Sequence, residues 1–279
     1  MNTALIRACV ALLLAAGSAF AQASVDADNR YATVGAIMVW RLEGGRAVEL
    51  RGFASGTLVR DRVMITAGHF TAPAKALGTL PPDLRFFASF SPDDAKNPET
   101  WIPVVALTTH PSMPHCPPPP QCDPTDDRLV APLQPGIADI GLVLLADAPS
   151  GLRPTPLAEL GALERLVDDT EMTIVGYGIT TPLSREGPLD ATLWDGRRRV
   201  RATRVRRLVD ETWGLWSIPS YVCSGDSGGA ILLRTGELAG NVSDGGRDCR
   251  THSNHIRLDT GPVRDWIDAA IQDFARQLR

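Results

Sequence analysis

The sequence predicts an all-β fold in two halves, closed by a single C-terminal helix. Three observations predict it. Short apolar runs recur along the chain, bounded by Gly, Pro, Asp and Asn, which is the pattern of β-sandwiches and barrels. Helical periodicity is confined to the last segment. A core-poor stretch, ADAPSGLRPTPLA at 146–158, divides the 279 residues near position 150. That length suits one large domain or two modest ones.

Residues 1–23 read as a signal peptide. Arg7 supplies a positive charge, an apolar run follows from Ala8 to Ala16, and Ala19-Phe20-Ala21 and Ala21-Gln22-Ala23 offer small-x-small cleavage sites. The run is shorter than the roughly 20 apolar residues of a membrane span. The mature chain is therefore expected to be secreted or periplasmic, with no membrane attachment once the signal is removed. The N-terminal half, 24–150, carries predicted strands at Val34–Trp40, Gly56–Thr66, Trp101–Leu107 and Ile140–Leu145. Residues 109–136, rich in Pro, Asp, His and Cys, read as a long surface loop. The C-terminal half, 151–279, carries predicted strands at Met172–Tyr177, Ala230–Leu233 and Leu238–Val242. It ends in a helix, because Val263, Trp266, Ile267, Ala270, Ile271, Phe274 and Leu278 fall at helical spacing after Pro262.

A net charge of −4 gives no global attraction to nucleic acid or anionic membrane. Only Lys75 and Lys96 among the 28 basic residues are lysine. The densest run, RRRVRATRVRR at 197–207, has Val200 and Ala202 alternating in part with arginines, and reads as a half-exposed strand with a solvated basic face. A polyanion site is the alternative. Cys9 would leave with the signal. Cys116, Cys122, Cys223 and Cys249 remain, an even number that in an oxidising compartment points to disulfides. Pairing Cys116–Cys122 and Cys223–Cys249 is the simplest of three arrangements. His110, His115, Cys116 and Cys122 also cluster as metal ligands would, but Pro117–Pro120 argues for a rigid clipped loop, and no metal is expected.

The chemistry gathers at CSGDSGGA, residues 223–230. Glycines on both sides of Gly225-Asp226-Ser227-Gly228 suggest a tight turn presenting one hydroxyl. A serine hydroxyl is a weak nucleophile until a base takes its proton. His69, in VMITAGHF, follows an apolar strand and could aim into a cleft. Asp139, in ADIGLVLL, opens an apolar run, so its carboxylate would be largely buried and would need a hydrogen-bonding partner. Singly, each has a bland reading as a structural histidine, a turn aspartate or a turn serine. Together they do not.

TAGH, ADIGLVLL and CSGDSGGA resemble the three catalytic blocks of the trypsin-like (chymotrypsin-fold) serine peptidases of secreted bacterial type, in that family's chain order. SGTLVRDRVMITAGH resembles the strand pair before the catalytic histidine, MTIVGYGIT a strand opening the second barrel, GELAGNVSDGG the segment lining the substrate cleft, and VRDWI the terminal helix. The resemblance implies two packed antiparallel six-stranded β-barrels and a secreted serine endopeptidase working through an acyl-enzyme. In that mechanism Ser227 Oγ attacks, His69 takes the proton and Asp139 orients His69. The backbone N–H groups of Gly225 and Ser227 face the oxyanion, each such donor being worth roughly 2.7–4 kcal/mol. The resemblance also implies that Ser243 contacts Asp139 and the substrate backbone, and that Cys223–Cys249 is a disulfide beside the specificity pocket. Peptide or protein substrates and protein inhibitors are the implied partners, and no cofactor is required.

Departures from the family narrow the expectations. Ala54 and Phe70 stand where the family has a disulfide flanking the histidine, so apolar packing is expected there. The family's activation motif is missing. There, a newly freed amine pairs with the aspartate before the serine, here Asp226. Arg30-Tyr31 is a candidate cut site; an internal cation, or no zymogen at all, is the alternative. Tyr221 stands where trypsin carries an aspartate, so a preference for Lys or Arg is not implied. Gly245 is expected in the pocket wall. His255, by an ungapped count, falls near it and as a cation would favour acidic substrates, unless His252 and His255 sit in a solvated loop. Two rival readings fit parts of the pattern. G-x-S-x-G at 225–229 also suits an α/β-hydrolase elbow, although GGAILLRTGELAGNV reads as strand, turn, strand rather than helix. A non-catalytic binding protein on the same fold is the other.

Overall fold

Tight turns delimit the strands of the first half. The computed structural model describes residues 23–76, 81–113, 137–167, 169–182, 191–210, 214–218, 220–245, 249 and 253–277. After a short first strand, β1 (Ser24–Val25), β2 (Val34–Glu43) turns at Gly44-Gly45, both at positive φ, into β3 (Arg46–Arg60). A two-residue turn, Asp61-Arg62, leads into β4 (Val63–Thr66), so the expected run 56–66 divides into two antiparallel strands. With β5 (Leu84–Ser89), β6 (Ile102–Thr109) and β7 (Gly141–Leu145) these strands close into a barrel in the order β2-β3-β4-β7-β6-β5. Its interior is aliphatic: Ile37, Leu58, Met64, Val143 and Leu145 are buried together with Phe86.

The second half carries β8 (Glu171–Gly176), β9 (Arg199–Asp210), β10 (Gly214–Ile218), β11 (Ala230–Leu232), β12 (Leu238–Gly245) and β13 (Ser253–Arg257). The sheet runs β9-β10-β13-β12-β11-β8, and β8 pairs back onto β9 through Gly176↔Arg199 to Glu171↔Arg204, which joins its two ends into a ring. β1 lies on the outer edge of this second sheet, with Ser24 opposite Val200. The chain's first strand thus belongs with the C-terminal half, not with the 24–150 unit the sequence suggests. The C-terminal helix forms as its apolar spacing predicts. It spans Gly261–Gln277 and buries Val263, Ile267, Ala270 and Phe274 in a cluster shared with both halves, including Ile65, Ile140 and Leu142 of the first and Ala230, Leu238 and Leu258 of the second. This shared core fixes the two barrels against each other.

Two sequence expectations fail here. Helix is not confined to the C-terminus: α1 (Gly68–Ala76) follows β4 directly, and the terminal helix is α2. Its Gly68 and Pro73 are poor helix formers, so propensity hides it. Tertiary contacts hold it instead, among them Thr71 Oγ1 at 2.7 Å from Thr109 Oγ1 of β6. The solvated basic face is also absent from the start of β9. Arg199 and Arg201 point inward, while Ala202 is exposed. The alternation is real and its polarity is reversed, because each arginine meets a carboxylate. Arg198 meets Asp26, Arg199 meets Asp195, and Arg201 meets Asp226. Among the described residues no helix is long and apolar enough to cross a membrane. The signal segment up to residue 22, the pair Cys116 and Cys122, His115 and His252 lie outside the described residues.

Candidate active site

β4 and β7 are neighbours, with Thr66 opposite Gly141. That register sets the residues just after β4 beside those just before β7, which brings His69 to Asp139. The approach is close: a Cβ on Gly68 would lie 2.7 Å from the Ile140 backbone nitrogen. Asp139 Oδ1 accepts the His69 backbone N–H at 2.7 Å, satisfying a first-turn donor of α1. Oδ2 accepts from His69 Nδ1 at 2.8 Å and from the Ser243 hydroxyl. The Asn241 amide reaches the Asp139 carbonyl at 3.4 Å. Burial, with Asp139 only 3% exposed, would by itself raise the carboxyl pKa. The charge on His69 and the bonds from His69 and Ser243 outweigh it and hold the pKa below the ordinary carboxylate value. An ionised carboxylate only accepts, so Nδ1 carries a proton, and whenever the ring is neutral its lone pair lies on Nε2.

The turn bearing Ser227 is stitched to the same place. Ser55 of β3 donates its N–H to Ser227 O at 2.8 Å and its hydroxyl to Gly225 O at 2.8 Å, while accepting the Tyr177 N–H at 2.8 Å. Gly228 N donates to Val242 O at 2.7 Å, next to Ser243. Gly225 and Gly228 have φ of 92° and 78°, a region that L side chains rarely adopt. At Gly228 space also forbids a side chain: a Cβ would sit 2.3 Å from Ser55 O and 2.6 Å from the nitrogen of Ala67, two residues before His69. The main chains around His69 and Ser227 are thus in contact. Beneath the turn, Asp226 is fully buried and receives the N–H groups of Gly178 and Cys223 beside the Arg201 guanidinium.

The expected specificity residues are dispersed along the next strands. A disulfide joins Cys223 to Cys249. Tyr221 is half-buried at a positive φ of 49°. Gly245 faces Ser253 across β12 and β13, and a Cβ on it would lie 3.0 Å from Val222 Cγ1. His255 requires a correction. It sits on β13, fully buried, with Nε2 at 2.8 Å from Ser253 Oγ. Burial pushes its pKa down to about 3, so the ring is neutral at physiological pH. It is not part of a solvated loop. Ala54 is buried, and Phe70 packs edge-on against Phe86 at 5.7 Å. Sequence reading missed Ser55, Asn241, Gly178 and Arg201. Only the arginine stood out, and its run suggested an exterior.

A family model described as Trypsin matches residues 129–267. No curated protein sequence matches the chain. Among solved structures, that of GrC is similar at 17% identity and a TM-score of 0.60, covering 90% of this chain and 99% of that one. Human heparin binding protein matches at 15% identity and a TM-score of 0.58, over 90% of this chain and 96% of that one. Neuropsin, a serine protease expressed in the limbic system of mouse brain, matches at 16% identity and a TM-score of 0.57, over 90% and 99%. The paired barrels, the terminal helix and the matched sequence agree, and the chain belongs to the trypsin family on the chymotrypsin fold.

Proposed function

We propose that this chain is an exported serine endopeptidase that cleaves peptide bonds through an acyl-enzyme, with Ser227 as nucleophile, His69 as general base and Asp139 as the carboxylate that orients it. The observation carrying the reading is the buried Asp139 carboxylate, which binds His69 Nδ1 at 2.8 Å and the Ser243 hydroxyl while the Ser227 turn abuts Ala67. An Nδ1–H tautomer leaves Nε2 to take a proton, which a serine nucleophile requires. The oxyanion formed on attack would be met by the N–H groups of Gly225 and Ser227, on a turn fixed by Ser55. Ser243, already bonded to Asp139, would also touch the substrate backbone. Substrates are peptides or proteins.

The test is labelling by a fluorophosphonate probe. Wild type should label stoichiometrically at Ser227, and Ser227→Ala should not label. Failure of the folded wild type to label would favour the non-catalytic binding protein. Export is tested separately: the N-terminus of the extracellular or periplasmic protein should begin near Ser24.

A further inference from the structure

Family resemblance ties the oxyanion turn to a positive charge delivered by a new chain terminus, for which Arg30-Tyr31 is the candidate cut. Another cation occupies that place. Asp226 Oδ1 accepts the Gly178 N–H at 2.8 Å and Arg201 Nη1 at 3.0 Å. Oδ2 accepts the Cys223 N–H at 3.0 Å and lies 2.9 Å from Arg201 Nη2. A carboxylate offers about four lone-pair sites; three of these contacts are hydrogen bonds and the fourth, from Arg201 Nη2, is a close ion-pair contact. Backbone walls in the rest, since a Cβ on Gly178 would fall 2.2 Å from Oδ2 and one on Gly176 2.4 Å from Oδ1. An incoming ammonium group would have to displace the guanidinium or a backbone N–H.

The N-terminal segment is committed elsewhere. Asp26 accepts the N–H groups of Arg30 at 2.9 Å and Tyr31 at 3.0 Å, and pairs with the fully buried Arg198 at 2.9 Å. Cutting Arg30–Tyr31 would free an amine whose present partner, Asp26, belongs to the segment removed, and losing that segment would strip the buried Arg198 of its carboxylate.

We infer that Arg201 is the built-in counter-cation of Asp226, a positioning residue that forms the oxyanion turn in the uncut chain, so that no cleavage at Arg30 is needed for activity. The inference rests on the peptidase reading above. A guanidinium suits the role because it stays charged and grips both carboxylate oxygens at once. An α-amine, by contrast, titrates at about 8.

The test uses the mature chain carrying Arg30→Gln, confirmed uncut by intact mass, beside wild type and a chain trimmed to begin at Tyr31. Two readouts are taken: fluorophosphonate labelling, and hydrogen exchange of the amides at 223–229. The uncut variant should label as fully as wild type and protect the turn, with no gain on trimming. Arg201→Met should lower kcat about 100-fold, the scale of losing one oxyanion donor, and change KM less. Arg201→Lys should restore part of that loss. If Arg201→Met does not fold, the Arg30→Gln comparison still decides. An uncut chain with an unprotected turn, which gains protection and labelling only when it starts at Tyr31, would overturn the inference. Exchange does not depend on catalysis, so a protected turn that never labels in any form would sink the peptidase reading and leave the role of Arg201 standing.

Discussion

Asp139 and Asp226 are both carboxylates sealed inside the protein, 3% and 0% exposed, yet they have opposite kinds of partner. Asp139 faces an imidazole, which can gain and lose a proton near neutral pH. Asp226 faces a guanidinium, which cannot. Each is also held by backbone N–H groups, and Asp139 accepts the Ser243 hydroxyl besides, so the main difference lies in the cation. One pair is equipped to move a proton and the other to hold a turn still. A buried charge in this molecule is therefore read by its partner rather than by its burial.

Breaking the first pair should have the largest effect. Asp139→Asn should lower kcat/KM about 10,000-fold in a peptidase assay, because the amide can favour the wrong imidazole tautomer. A loss below tenfold would place His69 outside the chemistry. Breaking the second pair should act on stability as well as rate. Asp226→Ala strands the Arg201 charge in the interior, and should cost about 3–5 kcal/mol in urea unfolding. A smaller loss would mean that water reaches Arg201.

Two pH experiments sharpen the comparison. The Asp139 pKa lies below its unfolded value, so its contribution is complete above about pH 4 and is lost as pH falls through the lowered value. Ser243→Ala removes one of the donors that lower it, so the acid limb of the unfolding-stability profile should move to higher pH. An unmoved limb would deny Ser243 that influence. His255 behaves differently. Its folded pKa of about 3 lies below the unfolded value near 6.5, so the unfolded chain binds the extra proton between them. Stability should therefore fall by about 1.4 kcal/mol per pH unit as pH drops through that window. His255→Asn should flatten this slope in denaturant titrations, and an equally steep slope would assign it to another group.

The smallest effect is expected three residues further along the strand that carries Arg201. Arg204 lies 3.7 Å from Glu171, with both side chains substantially solvated. Arg204→Ala should change stability by less than about 1 kcal/mol. A loss comparable with that at Asp226 would erase the contrast between buried and surface pairs.

Local chemistry was legible in the residues themselves. The glycines around Ser227, the apolar runs before His69 and after Asp139, and the helical spacing after Pro262 all report short-range requirements: φ, strand pairing and amphipathicity. The strands at 84–89 and 214–218 were missed although Pro81-Pro82-Asp83 and Pro92 bound the first and Pro219 follows the second. Helix α1 was missed because a remote carboxylate caps it.

The sequence by itself determined which residues could do chemistry and that strands would carry them. The tertiary structure decided which way the charges face. Arg201 meets a carboxylate 25 residues away, and Arg198 one 172 residues away. His255 is neutral only because strands close over it. Periodicity records how a segment divides polar from apolar, but whether an arginine points in or out depends on a counter-charge across the barrel, and only folding supplies that.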